Sequence, residues 1–322
     1  MSDFSVVRSS SCQEDFDRLS AAHGGVFFNK DVLRCSGERV EQFVICDAQG
    51  KCIGGFNLQV IKLKGIPAVT APKFHPHCGL FVLPFEGTLS TVQGKMKKVL
   101  SVVADCLDAR PEKIVSVPFP PEIEDMQPFI WSGFKTNVKY TYQLKIDEQA
   151  SPMEMFSSKT RNSISKGLKS GLTFQLNPKD VTEVVDLLNA NAKEQGFSYE
   201  QEVMSKLVDQ AMTSNGGVGV AMHENRMVAC AVTLADAKQA YYFFGGVDRN
   251  SSVQGALGVA LNELMNLYRK KGLAVFDFEG SMIPSVENFF RGFGGKQVPY
   301  FMVTKAPFVL STLLRMKGKS EF

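Results

Sequence analysis

PFIWSGFKTNVKYTYQL, Pro128–Leu144, and NFFRGFGGKQVPYFMV, Asn288–Val303, decide the fold, because they read as two copies of one pattern. Phe129 answers Phe289, Val138 answers Val298 and Tyr140 answers Tyr300, each 160 positions apart. A second matched pair precedes them in the same order. VEQFVICDAQGKCIGGFNLQVIK (Val40–Lys62) and GVGVAMHENRMVACAVTLAD (Gly217–Asp236) each show two alternating apolar runs around a polar turn, the signature of a β-hairpin. Lys51 aligns with Arg226, Ile53 with Val228 and Gly54 with Ala229. Two matched pairs in one order imply an internal duplication. The competing reading is that hairpins and Gly-Phe turns resemble each other by chance.

Length supports two copies. A chain of 322 residues exceeds one ordinary core and suits two domains of about 150 residues each. The polar, proline-bearing stretch Asp147–Pro152 is the expected boundary. It gives domain one as 1–146 and domain two as 152–322, with the C-terminal tail expected to pack back on domain one. Apolar residues recur at three- and four-residue spacing over Leu89–Leu107, Val181–Asn191, Gln201–Met212 and Leu257–Lys271, which predicts four helices. Strands alternate with helices, so the expected class is α/β (α+β), each domain a mixed, mostly antiparallel sheet flanked by helices.

Composition excludes several classes. With 44% apolar residues and 25 Phe the chain can bury two cores unaided. Seven scattered cysteines without a Cys-x-x-Cys pair predict free thiols and a reducing compartment rather than a zinc or redox site. The charged N-terminus lacks the apolar core of a secretory signal, and no run of about 18 apolar residues occurs, so a cytoplasmic protein without a membrane span is expected. A net charge of +3 is too small to imply nucleic-acid binding, although it leaves room for a local basic groove.

In the second domain, the hairpin, the strand Tyr241–Phe244, the Gly245-Gly246 break, a helix from about Gln254, the strand Ala274–Phe278 and the ending VENFFRGFG (Val286–Gly294) follow the order of a GNAT acyltransferase domain. With the duplication, the KTRNSI entry at Lys159–Ile164 and the FDFEGS strand end at Phe276–Ser281, the chain resembles the FemABX-type tandem-GNAT transferases. The resemblance implies transfer of an amino acid from aminoacyl-tRNA to an amine on a peptidoglycan precursor. Members often carry a coiled-coil arm in the second domain, and no stretch between Arg161 and Phe322 has the length for one.

Candidate site residues follow from the chemistry. Aligning an amine with an activated carbonyl lowers the barrier by about 7–11 kcal/mol, so few catalytic side chains are required. On the strand 275–279, two-residue alternation places Asp277 and Glu279 on one face and Phe276 and Phe278 on the other. The carboxylates can accept the amine proton, or simply pair with nearby cations. Arg291 either steadies the charge of a leaving group or faces the carbonyl end of its own helix. The tyrosine that GNAT enzymes use as proton donor is replaced by Phe290.

Gln254, Gly255 and Gly258 stand near a phosphate-binding glycine loop, one residue out of its register; close helix packing is the alternative. Arg161 heads a basic segment with Lys159, Lys166 and Lys169 suited to an anion. Lys73 and His75 are implied acceptor-groove residues of domain one, while a metal on His75-x-His77 lacks a third ligand. Tyr241 and Tyr242 alternate, one inward and one toward substrate, and Ser281 closes the strand end. No tightly bound cofactor is expected. The donor is aminoacyl-tRNA or acyl-CoA, with acyl-CoA transfer to a sugar or small amine, or a non-catalytic binding module, as the competing readings.

Overall fold

The computed structural model describes residues 3–37, 40–63, 65–146, 150–194, 196 and 198–322. The expected boundary at Asp147–Gln149 lies outside the described residues. In chain order the elements begin β1 (Phe4–Arg8), α1 (Gln13–His23), α2 (Lys30–Cys35), β2 (Val40–Asp47), β3 (Cys52–Leu63), β4 (Ile66–Thr70), β5 (Phe81–Val82), α3 (Leu89–Asp108), β6 (Ile114–Pro118), α4 (Gln127–Trp131) and β7 (Lys135–Lys145). They continue with α5 (Pro152–Met155), α6 (Ser158–Lys169), β8 (Thr173–Leu176), α7 (Thr182–Glu194), α8 (Gln201–Thr213), β9 (Gly217–His223), β10 (Arg226–Ala235), β11 (Gln239–Val247), α9 (Ala256–Lys270), β12 (Val275–Asp277), α10 (Pro284–Arg291), β13 (Lys296–Lys305) and α11 (Phe308–Met316).

The chain divides into two compact units, Met1–Lys139 with Pro299–Phe322, and Tyr140–Val298. Apart from β5, which has no counterpart, the run β1-α1-α2-β2-β3-β4-α3-β6-α4-β7 is matched by β8-α7-α8-β9-β10-β11-α9-β12-α10-β13. The last strand of each copy is exchanged: β7 from Tyr140 onward belongs to the second unit and β13 from Pro299 onward to the first. The hairpins sit where the sequence put them. Asp47 accepts from the backbone amides of Gln49 and Lys51 and Gly50 takes φ 78°, closing β2 onto β3. Glu224 and Asn225 both take positive φ, 49° and 61°, as a two-residue turn between β9 and β10 needs.

In the first unit, antiparallel pairs join β1 to β2, β2 to β3 and β3 to β4; β4 runs parallel to β6, and Met302–Lys305 of β13 pair with β6. In the second, β8, β9, β10 and β11 pair antiparallel, β11 runs parallel to β12, and Gln143–Lys145 of β7 pair with β12. Both parallel steps use a helical crossover, α3 or α9, as a parallel pair must. Each unit is a mixed, mostly antiparallel sheet flanked by helices, so the fold is a tandem α/β one.

Each unit has its own core. That of the second centres on α9, whose Val259, Leu261, Leu264 and Met265 pack with Leu144, Phe276 and Phe278. That of the first centres on α3, with Val99, Val103 and Leu107 against Phe56, Leu58, Val117 and Phe119.

One strand departs from expectation. Gly245-Gly246 does not break β11 but lies within it. A Cβ on Gly245 would sit 1.9 Å from the Tyr242 hydroxyl, so the glycine makes room for that ring. Opposite, the register slips between Val232 and Thr233, which pair with Phe244 and Tyr242 and leave Phe243 as an extra residue, a β-bulge.

No helix among the described residues is long and apolar enough to cross a membrane. Gly280 is held at φ 66°, where an added Cβ would lie 1.9 Å from the Tyr140 carbonyl oxygen. Gly280→Ala is expected to cost well over about 1 kcal/mol, read as a lowered midpoint in chemical denaturation.

Candidate functional site

Two features of the second unit bring chemistry-bearing residues together. The first is a cleft of about 290 Å³ walled by α6, α9 and α10, lined by Ser157, Lys159, Thr160, Ser163, Ile164, Gly255, Gly258, Ser285, Asn288, Phe289, Arg291 and Gly292. Glycine builds it. Gly255 caps α9 at φ 85°, and a Cβ there would meet the Ser163 carbonyl oxygen at 2.3 Å. Gly258 and Gly167 likewise face Ile164 and the Gln254 carbonyl at contact distance. Close packing of α6 on α9 therefore accounts for the glycines, and it delivers the first turns of both helices to one place.

Those turns are electropositive. The first amides of a helix have no intrahelical partner, and the macrodipole adds partial positive charge. Gly255 offers α9 no capping side chain, while Ser157 caps α6 by accepting from the Thr160 amide at 3.2 Å. Lys159 is exposed at the cleft wall. Arg291 contributes a second cation, with Nε donating to Glu287 at 2.9 Å and one terminal nitrogen donating to Asn288 at 2.9 Å. The Tyr142 hydroxyl also donates to Glu287, at 2.6 Å, and these two partners hold the Glu287 carboxyl below its ordinary range. A phenol thus stands beside α10 although Phe290 replaced the expected one.

The second feature is a carboxyl pair at the end of β12. The β11–β12 ladder stops at Tyr241↔Asp277, and β11 continues through Tyr242–Val247. Asp277 is buried and accepts from Thr141 at 2.5 Å, Gln143 at 2.9 Å and the Glu279 amide at 2.7 Å. Burial still pushes its pKa up. Two-residue alternation does not carry to Glu279, because the strand ends at Asp277 and Glu279 turns into the left-handed region at φ 53°. The two carboxyls remain neighbours nonetheless. Glu279 Oε1 is buried without a hydrogen-bond partner, and burial followed by the charge of Asp277 raises its pKa well above the usual carboxylate value. A strained, desolvated carboxyl is an arrangement that functional sites retain.

Several expected residues lie elsewhere. Arg161 does not line the cleft: its guanidinium donates to the Phe156 and Glu154 carbonyls and to Ser158, tying down the turn before α6. Phe290 is 6% exposed and stacks with Tyr242 and Phe278 inside the core, so it is not placed to touch substrate. Its neighbour Phe289 faces the cleft instead. Tyr241 is buried, with its hydroxyl donating to Asp236 and accepting from Gln239. Tyr242 projects oppositely, its hydroxyl over Gly245. Ser281 accepts from the Ile283 amide in the turn to α10, and Gln254 is exposed just before α9.

In the first unit, His75 is only 9% exposed, with Nδ1 3.1 Å from the Lys73 carbonyl, and burial takes its pKa down to about 4. A buried neutral imidazole does not line an open groove. Lys73 is exposed and lies over the Phe74 ring at 4.8 Å. No group of three His, Cys, Asp or Glu able to hold a metal occurs among the described residues. Ser157, Thr160, Ser163, Asn288 and Phe289 escaped the sequence reading. The Ser-x-x-Thr cap at 157–160 was the one local signal for them.

With this geometry in place, the comparisons fall into line. A GNAT acetyltransferase domain matches residues 156–291, within the second unit. No curated protein sequence matches the chain. Among solved structures the fold is similar to FemX, with a TM-score of 0.65, 11% identity and coverage of 94% of this chain and 98% of that one. It is also similar to the C-terminal domain of a putative lysylphosphatidylglycerol synthetase from Agrobacterium fabrum, with a TM-score of 0.59, 10% identity and coverage of 95% and 96%. A tandem GNAT protein from the clavulanic acid biosynthesis pathway gives 0.55, 11%, 94% and 98%. At these identities the shared property is the fold, a tandem GNAT-like one.

Two outcomes test the assignments. Arg161→Ala is expected to lower stability by about 1 kcal/mol through the lost carbonyl contacts, whereas Lys159→Ala leaves the thermal midpoint unchanged. Glu279 has a folded pKa above its unfolded value, so its stabilising share is present below the unfolded value of 4.5 and is lost as pH rises through the folded one. Glu279→Gln, which cannot ionise, is therefore expected to raise the thermal midpoint at about pH 8 and leave it nearly unchanged at about pH 4.

Proposed function

We propose that the chain is an N-acyltransferase whose second unit takes an activated acyl group from acyl-CoA and delivers it to an amine. The observation that carries this reading is the basic cleft, where Lys159, Arg291, the Ser157-capped first turn of α6 and the side-chain-free first turn of α9 converge. Phosphate oxygens are recognised by just such donors. The cleft volume, about 290 Å³, suits part of a nucleotide thioester, and the GNAT acetyltransferase match covers every lining residue but Gly292. Aminoacyl-tRNA, implied by the FemABX resemblance, needs a far larger basic surface than two cations, so acyl-CoA is the preferred donor.

In this reading Glu279 is the general base. An amine is protonated in water and must lose a proton before or during attack. A carboxyl with raised pKa at the end of β12 is matched to that step, a contribution of about 10²–10⁴-fold. Asp277, saturated by Thr141, Gln143 and the Glu279 amide, fixes the turn and keeps the neighbouring proton affinity high. The β11–β12 ladder ends at Tyr241↔Asp277 while β11 runs on to Val247, and in this reading backbone amides of that stretch steady the developing negative charge. The acceptor is an amine of a sugar or of a peptide, and cell-wall precursor chemistry is the specific instance the resemblance suggests. Such precursors would place the enzyme in the cytoplasm.

Titration calorimetry with acetyl-CoA and with aminoacyl-tRNA separates the donors. Heat from acetyl-CoA, weakened about tenfold by Lys159→Ala or by Arg291→Ala, or about 1.4 kcal/mol for each, is the expected result. Binding of aminoacyl-tRNA alone would reverse the donor assignment. Glu279→Gln is expected to reduce turnover by at least about 100-fold while donor affinity holds; equal losses in both would make the carboxyl structural.

A further inference from the structure

We propose that the outward face of α11 is an interfacial helix that seats the first unit on an anionic lipid surface. The helix is two-sided. Leu314 is 2% exposed, and Leu310 packs with it against Ala68, Ile114, Ile61, Leu63, Ile66 and Phe322. The other side is apolar as well, and bare: Phe308 is 86% exposed, Val309 68%, Leu313 47% and Met316 81%. A water-soluble helix ordinarily turns charged residues outward, and exposed apolar residues gathered on one face mark an interaction site.

The placement of charge selects the occupant. At about 100° per residue, Phe308, Met316, Val309 and Leu313 sweep one arc of about 140°, with Thr312 as its one polar member. Arg315 borders the arc beside Phe308, with its Nε donating to the Phe322 carbonyl, and Lys317, one residue past the helix, borders it beside Leu313. No carboxylate occurs from Lys305 to Lys319. The acids near the start of the helix are already engaged: Asp108 accepts from Lys305 at 2.5 Å, and Glu112 pairs with Arg110 at 2.8 Å. Exposed Lys62 adds a cation next to Ile61 and Leu63, which pack beneath the same helix.

An apolar strip edged by cations on both sides is matched to a bilayer. Phenylalanine, leucine and methionine enter the acyl boundary while lysine and arginine extend their stems along it and leave their charges among anionic headgroups. A protein interface would instead deplete lysine around its apolar centre. The helix packs by Leu310 and Leu314 on β3, β4 and β6, which leaves its apolar arc turned away from the sheet.

The full chain mixed with sucrose-loaded vesicles of phosphatidylcholine, with and without phosphatidylglycerol, tests this directly. Sedimentation is expected with the phosphatidylglycerol vesicles, falling as salt rises because the headgroup attraction is screened. The double variant Phe308→Asp/Met316→Asp should bind at least about tenfold less, and Lys62→Glu/Lys317→Glu, at two exposed positions, should lose the preference for phosphatidylglycerol. All four side chains are exposed, so thermal midpoints should match that of the unaltered chain. The proposal is overturned if the native chain does not sediment, if it sediments equally with neutral vesicles, or if it is a dimer that the Phe308→Asp/Met316→Asp variant converts to monomer.

Discussion

Backbone groups that leave a ladder need other partners, and that constraint organises the second unit. The parallel contact between β11 and β12 lasts three residue pairs and ends at Tyr241↔Asp277. Past that point the chain of β12 is held from the other side, by the Phe278 amide bonded to the Tyr142 carbonyl. It then turns sharply at Glu279 and Gly280, both at positive φ. The turn feeds α10, which supplies Asn288, Phe289 and Arg291 to the cleft. The end of one short ladder thus sets the position of the carboxyl pair and the direction of α10.

The first unit shows what happens when the same parting is filled. Its parallel ladder, β4 on β6, also has three pairs, Ala68↔Ile114 to Thr70↔Ser116. There the chain stays in the gap. The Asn57 amide donates to the Cys78 carbonyl at 2.8 Å, and the Cys78 amide donates to Pro118 at 2.9 Å, so the loop takes the place of a continued strand. His75 is buried within that loop. In the first copy the loop carries the ladder on past Ser116, whereas in the second the β11–β12 ladder ends at Tyr241↔Asp277.

Periodicity made most of the fold legible. The apolar spacing over Leu89–Leu107 and Leu257–Lys271 matches α3 and α9 within a residue or two, and the repeat at Phe129 and Phe289 marks α4 and α10 with the strands that follow. Both signals are local, because they depend on one element burying one face. The site was less legible. That Glu279 would be desolvated depends on the packing of β7 against β12, distant in sequence. Arg161 looked like an anion ligand because charge is visible in a sequence and the carbonyls that occupy it are not. Gly255 and Gly258 fit a loop for phosphate or a packing device equally well as sequence, and the structure shows the packing: the contact with α6 that requires glycine also forms the cleft wall.

Packing also explains why the site tolerates its own cost. Glu279 has a left-handed backbone, a buried and unpartnered oxygen and an anionic neighbour, three penalties on one residue. A neutral side chain would avoid two of them. Asp277 is itself the third, and its oxygens are occupied by Thr141, Gln143 and the Glu279 amide. The surrounding core, Phe276, Phe278 and Phe293 at full burial, over-determines the turn strongly enough to hold it. Stability given up at one carboxyl is thus offset by the aromatic cluster beneath it.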